Sequence, residues 1–255
     1  MDFAFLYETL LTILPGVPLT LKLAVGSALL GLVLALILAL MRLSGVKPLE
    51  WVARLYVFVL RGTPLLVQIF LIYYGLGQFP AVRHSLLWPF LREPVWCAVL
   101  ALTLNTAAYG SEIIRGGLLS IPGGQIEAAR ACGMSRFLLF RRIVLPLAIR
   151  QALPAYGNEF ISMVKATSLA SIITLMEITG LAAKLISETY RAIEVFIVAG
   201  AIYLAINFVL TRIILFAEYR LTPHLRERPG GVPSIDDRLD PAAAAAEGLP
   251  GGKVH

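Results

Sequence analysis

The chain has 255 residues, of which 58% are hydrophobic and only 15% are charged, and its mean hydropathy is +0.80. Because a soluble domain carries about 25% charged residues, this chain cannot cover its own surface with polar groups in water, and a soluble enzyme is excluded. The formal net charge is +6, but the basic residues lie in short segments between apolar runs. That distribution is typical of membrane topology and not of a nucleic-acid binder. The expected solvent is therefore lipid, and no nucleic-acid partner is expected.

Five apolar stretches are long enough to cross about 30 Å of hydrocarbon as helices of about 20 residues. They lie near Leu19–Met41, Leu55–Leu76, Val95–Ile114, Leu153–Met176 and Val195–Phe216. The sequence therefore predicts an all-α membrane protein with five transmembrane helices within residues 19–220. A short external segment over residues 1–18 precedes them.

The connecting segments fix the expected orientation, because they alternate between poor and rich in Lys and Arg. No basic residue precedes the first span, whereas the segment from Ser111 to Gln151 holds six arginines. Cytoplasmic loops carry the excess of basic residues. The N-terminus is therefore expected outside, and the C-terminus in the cytoplasm.

The composition changes abruptly after the fifth span. Residues 221–255 hold five Pro, five Gly, a run of five Ala (Ala242–Ala246) and no aromatic residue. Such a segment buries too little apolar area to offset its chain entropy. We expect a disordered cytoplasmic tail.

The segment between the third and fourth spans, about residues 116–150, is more structured than a tether requires. Gln125–Cys132 reads as a short helix stopped by Gly133. Ser135 can cap a second helix, which Pro146 would end. Two short helices exposed to cytoplasm would form a protrusion that docks a partner. The alternative is a polar loop that only joins two spans.

The spacing of residues in this segment favours the docking element. Seven of them fit the pattern E-A-A-x3-G-x9-I-x-L-P with every interval kept, namely Glu127, Ala128, Ala129, Gly133, Ile143, Leu145 and Pro146. This resembles the EAA loop of ABC importer permeases. In that family the loop is the coupling helix, which seats in a groove of a separate ATPase subunit. The resemblance implies that these seven residues form such a coupling site.

Three further stretches are similar to the polar amino acid subfamily, whose members include permeases for histidine, arginine, lysine, ornithine, glutamine and opines. They are Arg61–Gln68, Asn105–Gly117 and Leu153–Glu159. The resemblance extends from about Leu19 to Phe216 and implies a type I importer fold in the bacterial inner membrane. It also implies three kinds of partner: a pair of ATP-binding subunits, a periplasmic or extracellular solute-binding protein, and a second permease. Because the subfamily often pairs unequal permeases, a heterodimer is favoured, and a homodimer stays open.

No chemistry of its own is visible in the chain. It lacks the G-x-x-x-x-G-K-[ST] loop that cradles ATP phosphates, the G-x-S-x-G elbow of hydrolases and any cluster of metal ligands. We therefore expect no catalytic residue, no metal and no cofactor on this chain. ATP and magnesium would be bound by the partner ATPase, so the chain is not expected to be an enzyme.

Polar side chains within the spans are costly in lipid and are candidates for function. In the fourth span, Asn158, Glu159, Ser162 and Lys165 fall within an arc of about 120° at helical spacing. In the third span, Asn105, Tyr109 and Glu112 share a face, and Gln68 in the second span could reach the same cavity. The candidate substrate path comprises Asn158, Glu159, Ser162, Lys165, Gln68 and Tyr109.

The alternative to a substrate path is that these groups neutralise one another, as Glu159 with Lys165 or Glu112 with Arg115. For Glu112 this structural role is favoured, because it lies near the cytoplasmic surface. Ala166 stands where some relatives carry an acidic residue, so one carboxylate that could grip a cationic side chain is missing here.

The sequence therefore predicts the permease subunit of an ATP-driven importer for polar, and in particular basic, amino acids or opines. The first alternative is a secondary transporter driven by an ion gradient, which broken helices in paired halves would support. The sequence shows none. The second alternative, a membrane scaffold that does not transport, leaves the polar face of the fourth span unexplained.

Overall fold

A computed structural model describes residues 3–221, and every regular element in that range is a helix. The α-helices are α1 (Phe3–Ile13), α2 (Val17–Leu43), α3 (Lys47–Gly62), α4 (Leu65–Phe70), α5 (Pro80–Arg83), α6 (Trp88–Leu91), α7 (Pro94–Leu119), α8 (Gly123–Ala131), α9 (Arg136–Leu139), α10 (Leu145–Ala166), α11 (Ile178–Thr189) and α12 (Ala192–Leu221). Almost all of the tail predicted over residues 221–255 lies outside the described residues.

The first span is longer than expected. Helices α1 and α2 follow one another through a single 3₁₀ turn, Leu14–Gly16, so that Phe3–Leu43 forms an apolar helical stretch of 41 residues. Pro15 and Pro18 stand in the first turns of the segments they enter, where no backbone N–H is needed. Helical structure therefore covers residues 3–18, to which the sequence assigned only an external position.

The second span is not the continuous helix expected over Leu55–Leu76, and that expectation is wrong. Helix α3 begins earlier, at Lys47, and ends at Gly62, and the chain resumes as a helix at Leu65 after a bend of 105°. The cause is Pro64, which cannot donate a helical hydrogen bond and forces extended backbone on Thr63. The bend leaves carbonyl groups at the end of α3 without helical partners.

Helix α7 lies at the centre of the fold, in contact with α2, α3, α4 and α10. The buried core between α2 and α7 is built largely from small side chains, which let helices approach closely in a membrane protein. It includes Leu23, Ala24, Cys97, Ala98, Ala101 and Leu102. Helix α7 matches the third predicted span, and α12 matches the fifth.

The fourth span is also bent. Helix α10 runs to Ala166 and continues as a 3₁₀ helix to Ile173, and α11 then follows at an angle of 47°. The loop expected after this span is thus largely the helix α11. Pro146 does not end the helix before it, contrary to expectation, because the π-helical turn Phe140–Val144 carries the chain directly into α10. Pro146 then stands in the first turn of α10, where its missing N–H is tolerated.

Within residues 3–221, three helices are long and apolar enough to span a membrane, and the number rises to five when each bent pair counts as one span. This agrees with the five predicted spans. The breaks in two of them were not predicted from the sequence.

A buried polar cluster around Glu177 ties three parts of this fold together. Glu177 is completely buried at the start of α11, where its carboxylate accepts a hydrogen bond from the backbone N–H of Gly180 at 2.9 Å. The hydroxyl of Tyr203 on α12 donates to the same carboxylate at 2.7 Å, and that of Thr20 on α2 at 3.4 Å. Sequence reasoning did not single out any of these four residues.

Candidate functional site

A cavity of about 320 Å³ opens between α4, α7 and α10. Its wall combines polar and apolar side chains: Leu65, Leu102, Asn105, Thr106, Tyr109, Glu159, Ser162, Met163 and Ala166. Three of the six predicted path residues are among them, Tyr109, Glu159 and Ser162. The i, i+4 spacing of Asn105 and Tyr109 on α7 places both on the face that meets α10.

Glu159 is the acidic side chain of this wall. It is partly buried, and among residues 3–221 its carboxylate has no hydrogen-bond donor and no ion-pair partner. Ser162 lies about one helical turn further along α10 on the same wall. Asn158 and Lys165 are exposed and lie outside the cavity lining, so the four-residue polar face divides between the cavity and the exposed surface of α10.

Gln68 stabilises the bend in the second span. It is buried, and its amide nitrogen donates to the carbonyl oxygens of Leu60 at 2.8 Å and Thr63 at 3.0 Å. These are the groups that the interruption at Pro64 leaves open. The amide oxygen of Gln68 accepts a hydrogen bond from Asn105 at 3.1 Å. Gln68 thus lies behind the cavity wall and holds Asn105 in place.

Glu112 has the structural role that the sequence favoured. Its carboxylate pairs with Arg42 on α2 at 2.5 Å and with Arg115 on its own helix at 2.8 Å. The partner Arg42 was not anticipated, because it lies 70 residues away in the chain. Glu159 and Lys165, the other pair considered, form no ion pair within the part of the chain that the structure describes.

Arg61 is a charged residue near the cavity that sequence reasoning did not name as a site residue. It lies in the last turn of α3, next to the bend, and its guanidinium carbon lies 4.9 Å from the ring centroid of Tyr109. The sequence feature that could have identified Arg61 is its position immediately before the helix break Gly62-Thr63-Pro64.

The predicted coupling segment has the local structure expected for it. Helix α8 ends at Ala131, and Gly133 just beyond it has a φ of +75°, the left-handed conformation that glycine adopts without strain. The N–H groups of Gly133 and Met134 bond back to the carbonyl oxygens of Arg130 and Ala129, which is a Schellman motif. The side chain of Ser135 then caps α9 by accepting from the N–H of Leu138. Both helix boundaries are confirmed.

A groove of about 410 Å³ lies between α8 and the start of α10. Of the seven motif residues, Ala128, Ala129, Ile143 and Pro146 line it, and Arg142 and Arg150 contribute positive charge to the same groove. Glu127 and Leu145 are exposed outside the groove. The motif therefore builds one face of a basic, partly apolar surface.

Helices α7 and α10 approach closely next to this surface. A side chain added at Gly117 would place its first carbon 2.9 Å from the carbonyl oxygen of Ala148 and 3.0 Å from the side chain of Ala152. Only glycine therefore fits at this crossing. The crossing joins the segment that leads into α8 to the first turns of α10.

Among residues 3–221, no three His, Cys, Asp or Glu side chains lie together as ligands for a metal ion.

Comparison with known sequences places this architecture in a family. The family described as "binding-protein-dependent transport system inner membrane component" matches residues 9–222. The chain is 63% identical to the octopine transport system permease protein OccM of Rhizobium meliloti, over 93% of this chain and 97% of that protein. It is 58% identical to the nopaline permease protein NocM of Agrobacterium fabrum, over 91% and 96%. It is 42% identical to the histidine/lysine/arginine/ornithine permease protein HisM of Escherichia coli K12, over 83% and 89%.

Solved structures agree. An amino acid ABC transporter crystallised with histidines superposes with a TM-score of 0.77 at 37% identity, covering 86% of this chain and 99% of that one. The MetNI methionine ABC transporter shares the fold, with a TM-score of 0.61 at 19% identity over 88% and 99%. The chain therefore belongs to the family of inner membrane components of binding-protein-dependent transport systems: it is a membrane permease subunit of an ABC importer and not an enzyme.

Proposed function

We propose that the cavity beside Glu159 is the substrate path and that it carries basic amino acids or opines. The observation that carries this proposal is the carboxylate of Glu159, which is partly buried and lacks a protein partner among residues 3–221. A carboxylate in such a position is stabilised by an ammonium or guanidinium group more strongly than at a surface. Relatives named for octopine, nopaline and the basic amino acids support this substrate class.

The remaining cavity residues suit a substrate that must release its water. Asn105, Tyr109 and Ser162 supply neutral donors and acceptors, and Gln68 acts from behind by fixing Asn105. Lys165 and Asn158 are exposed on α10, where they would meet substrate or a second permease at the open side of the cavity. Ala166 is apolar, so within this chain Glu159 is the anionic group that would meet a cationic substrate.

The seven motif residues are proposed as the coupling site. Helix α8 would seat in the ATPase through the exposed Glu127 and the small Ala128, with Gly133 forming the bend behind it. Ile143, Leu145 and Pro146 would support α8 from the start of α10. ATP and magnesium would be bound by the ATPase, and ATP would favour one conformer of the permease only through contacts that differ between conformers.

The importer is proposed to contain two ATP-binding subunits, a solute-binding protein at the outer face and a second, unequal permease. The N-terminus would lie outside, and the arginine-rich segment from α8 to α10 in the cytoplasm, where positive charge accumulates. Purification of the complex and mass spectrometry would distinguish the arrangements. Two permease chains indicate the heterodimer, and this chain alone indicates a homodimer.

The two bent spans do not support the alternative of a secondary transporter driven by an ion gradient. The expectation of unbroken helices is wrong, yet the relatives at 42–63% identity are permease proteins of ATP-driven systems.

The substrate proposal is tested with Glu159→Gln. Uptake of arginine by cells that carry the complete importer should fall about tenfold or more, because a charge-assisted contact is lost. Uptake of citrulline, the neutral isostere of arginine, should change much less. The matched control is Glu188→Gln, an exposed glutamate on α11. Equal losses for arginine and citrulline would indicate a structural role for Glu159 and would contradict the proposal.

A further inference from the structure

Arg61 is exposed at the end of α3 and differs from the arginines of the described helices that form ion pairs. Arg42 and Arg115 are neutralised by Glu112, Arg54 by Glu50 and Arg191 by Glu194. Among residues 3–221, Arg61 has neither an ion-pair partner nor a hydrogen-bond acceptor. The chain thus keeps one guanidinium unpaired at the bend between α3 and α4.

The guanidinium is nevertheless held in a defined place. It lies over the ring of Tyr109, with its central carbon 4.9 Å from the ring centroid. A cation–π contact of this kind uses the face of the guanidinium and leaves its N–H groups at the edge free to donate. Tyr109 itself lines the cavity. The free donors are therefore positioned beside the substrate path.

The cavity also has a negative side. Glu159 lies on the α10 wall, and the positive charge of Arg61 acts on the carboxylates of both Glu159 and Glu112. Glu112 is already paired, whereas neither Arg61 nor Glu159 forms an ion pair or a side-chain hydrogen bond among residues 3–221. They have opposite sign and are contributed by different helices.

An amino acid carries the complementary pair of charges. Its ammonium group, or the guanidinium of an arginine side chain, suits Glu159, and its carboxylate suits a planar fork of N–H donors. Arginine binds a carboxylate through two parallel hydrogen bonds, a geometry that lysine cannot reproduce.

We propose that Arg61 binds the carboxylate of the transported substrate at the cavity and thereby selects amino acids over amines of the same side chain. This rests on the proposed function, since it takes the cavity beside Glu159 as the path. The proposal adds a second recognition residue and gives the orientation of the substrate. The substrate carboxylate faces the bend between α3 and α4, and its cationic group faces α10.

The test measures equilibrium binding to the purified permease–ATPase complex in nanodiscs without the solute-binding protein. The probes are labelled arginine and agmatine, which is arginine without its carboxyl group. The variants are Arg61→Gln, Arg61→Lys and the control Arg54→Gln, which alters an exposed arginine two turns earlier on the same helix.

The proposal predicts that Arg61→Gln weakens arginine binding at least tenfold and agmatine binding less than twofold. Arg61→Lys should fall between wild type and Arg61→Gln for arginine, and Arg54→Gln should change neither ligand. Agmatine binding also reports that the variant is folded.

Two results would overturn the proposal alone: an unchanged arginine affinity in Arg61→Gln, or equal losses for arginine and agmatine, which would mean that Arg61 only supports Tyr109. If the wild-type complex bound neither arginine nor agmatine, the proposed substrate class would be wrong, and the assignment of Arg61 with it.

Discussion

Three glutamates within the helical part of the chain have three different surroundings. Glu112 is neutralised by Arg42 and Arg115, and Glu177 accepts hydrogen bonds from Tyr203, Gly180 and Thr20. Glu159 has no such partner among residues 3–221. Because a buried acceptor is costly when unsatisfied, the partners of the first two glutamates are explained by stability, and Glu159 is the one that we propose to meet substrate.

The Glu177 cluster is predicted to stabilise the fold. Tyr203→Phe removes the 2.7 Å hydrogen bond and leaves a fully buried carboxylate with fewer donors. The expected cost is about 1–3 kcal/mol, seen as a lower melting temperature of the detergent-solubilised protein. Glu177→Ala should cost at least as much, because it also removes the side-chain cap of α11.

The matched control for this prediction is Tyr190→Phe, at a tyrosine that is 89% exposed and outside the cluster. It should leave the melting temperature unchanged. If Tyr203→Phe and Tyr190→Phe melted at the same temperature, the cluster would contribute nothing to stability.

At the level of residues, the sequence predicted which side chains share a helix face. It did not predict which side chains pair across different helices. Glu159 and Ser162 recur at the helical period, so a shared face follows from the sequence alone. Tyr203, one of the donors to Glu177, lies 26 residues from it along the chain, and Arg42 lies 70 residues from Glu112. Contacts of that range are set by how the helices pack, which the period of one helix does not reveal.

At the scale of helices, the bend between α3 and α4 positions one wall of the cavity. Leu65, the first residue after the bend, lines the cavity, and Arg61 lies just before it. Gln68 closes the open carbonyl groups at the break and also holds Asn105 on α7. One side chain therefore both stabilises the bend and orients the wall opposite it.

Prolines show why helix breaks were hard to predict. Pro64 interrupts the second span. Pro146 lies in the first turn of α10, and Pro154 lies inside α10 without ending it. The outcome depends on whether neighbouring groups satisfy the freed carbonyl oxygens. Gln68 does so at the break, and the π-helical turn Phe140–Val144 precedes Pro146. Neither arrangement is visible in the composition of the span.

The proposed coupling role of α8 gives a prediction at this scale. The double variant Glu127→Lys with Gly133→Trp reverses the exposed charge on α8 and puts a bulky side chain where φ is +75°. We expect uptake to be abolished while the protein remains inserted in the membrane, because the docking surface is lost and the fold of the spans is untouched. Uptake is measured in cells, and insertion by membrane fractionation.

The control for the coupling prediction is Glu188→Lys, which reverses an exposed charge on α11, away from the coupling segment. It should transport normally. Normal uptake by the double variant itself would refute the docking role of α8.

At the scale of the whole molecule, α10 joins the two surfaces. Pro146 at one end lines the groove beside α8, and Glu159 lines the cavity. Glu159 lies 13 positions after Pro146, which corresponds to about 20 Å of helix. Helix α7 is locked against the first turns of α10 at Gly117. Packed helices therefore connect the segment that carries α8 with the cavity.

The features predicted correctly from the sequence are those that depend only on residues close together in this chain. The number of spans follows from apolar length, and the end of α8 and the start of α9 follow from Gly133 and Ser135. The proposed occupants of the groove and the cavity are other molecules, whose residues this chain does not contain.

The most direct test of this account is purification of the chain from native membranes in mild detergent, with mass spectrometry of the proteins that accompany it and an assay of ATP hydrolysis. The account predicts a P-loop ATPase together with one second permease, and ATP hydrolysis by the purified complex. Absence of an ATPase, even after crosslinking through residues 125–133, would contradict the claim that α8 couples this permease to ATP.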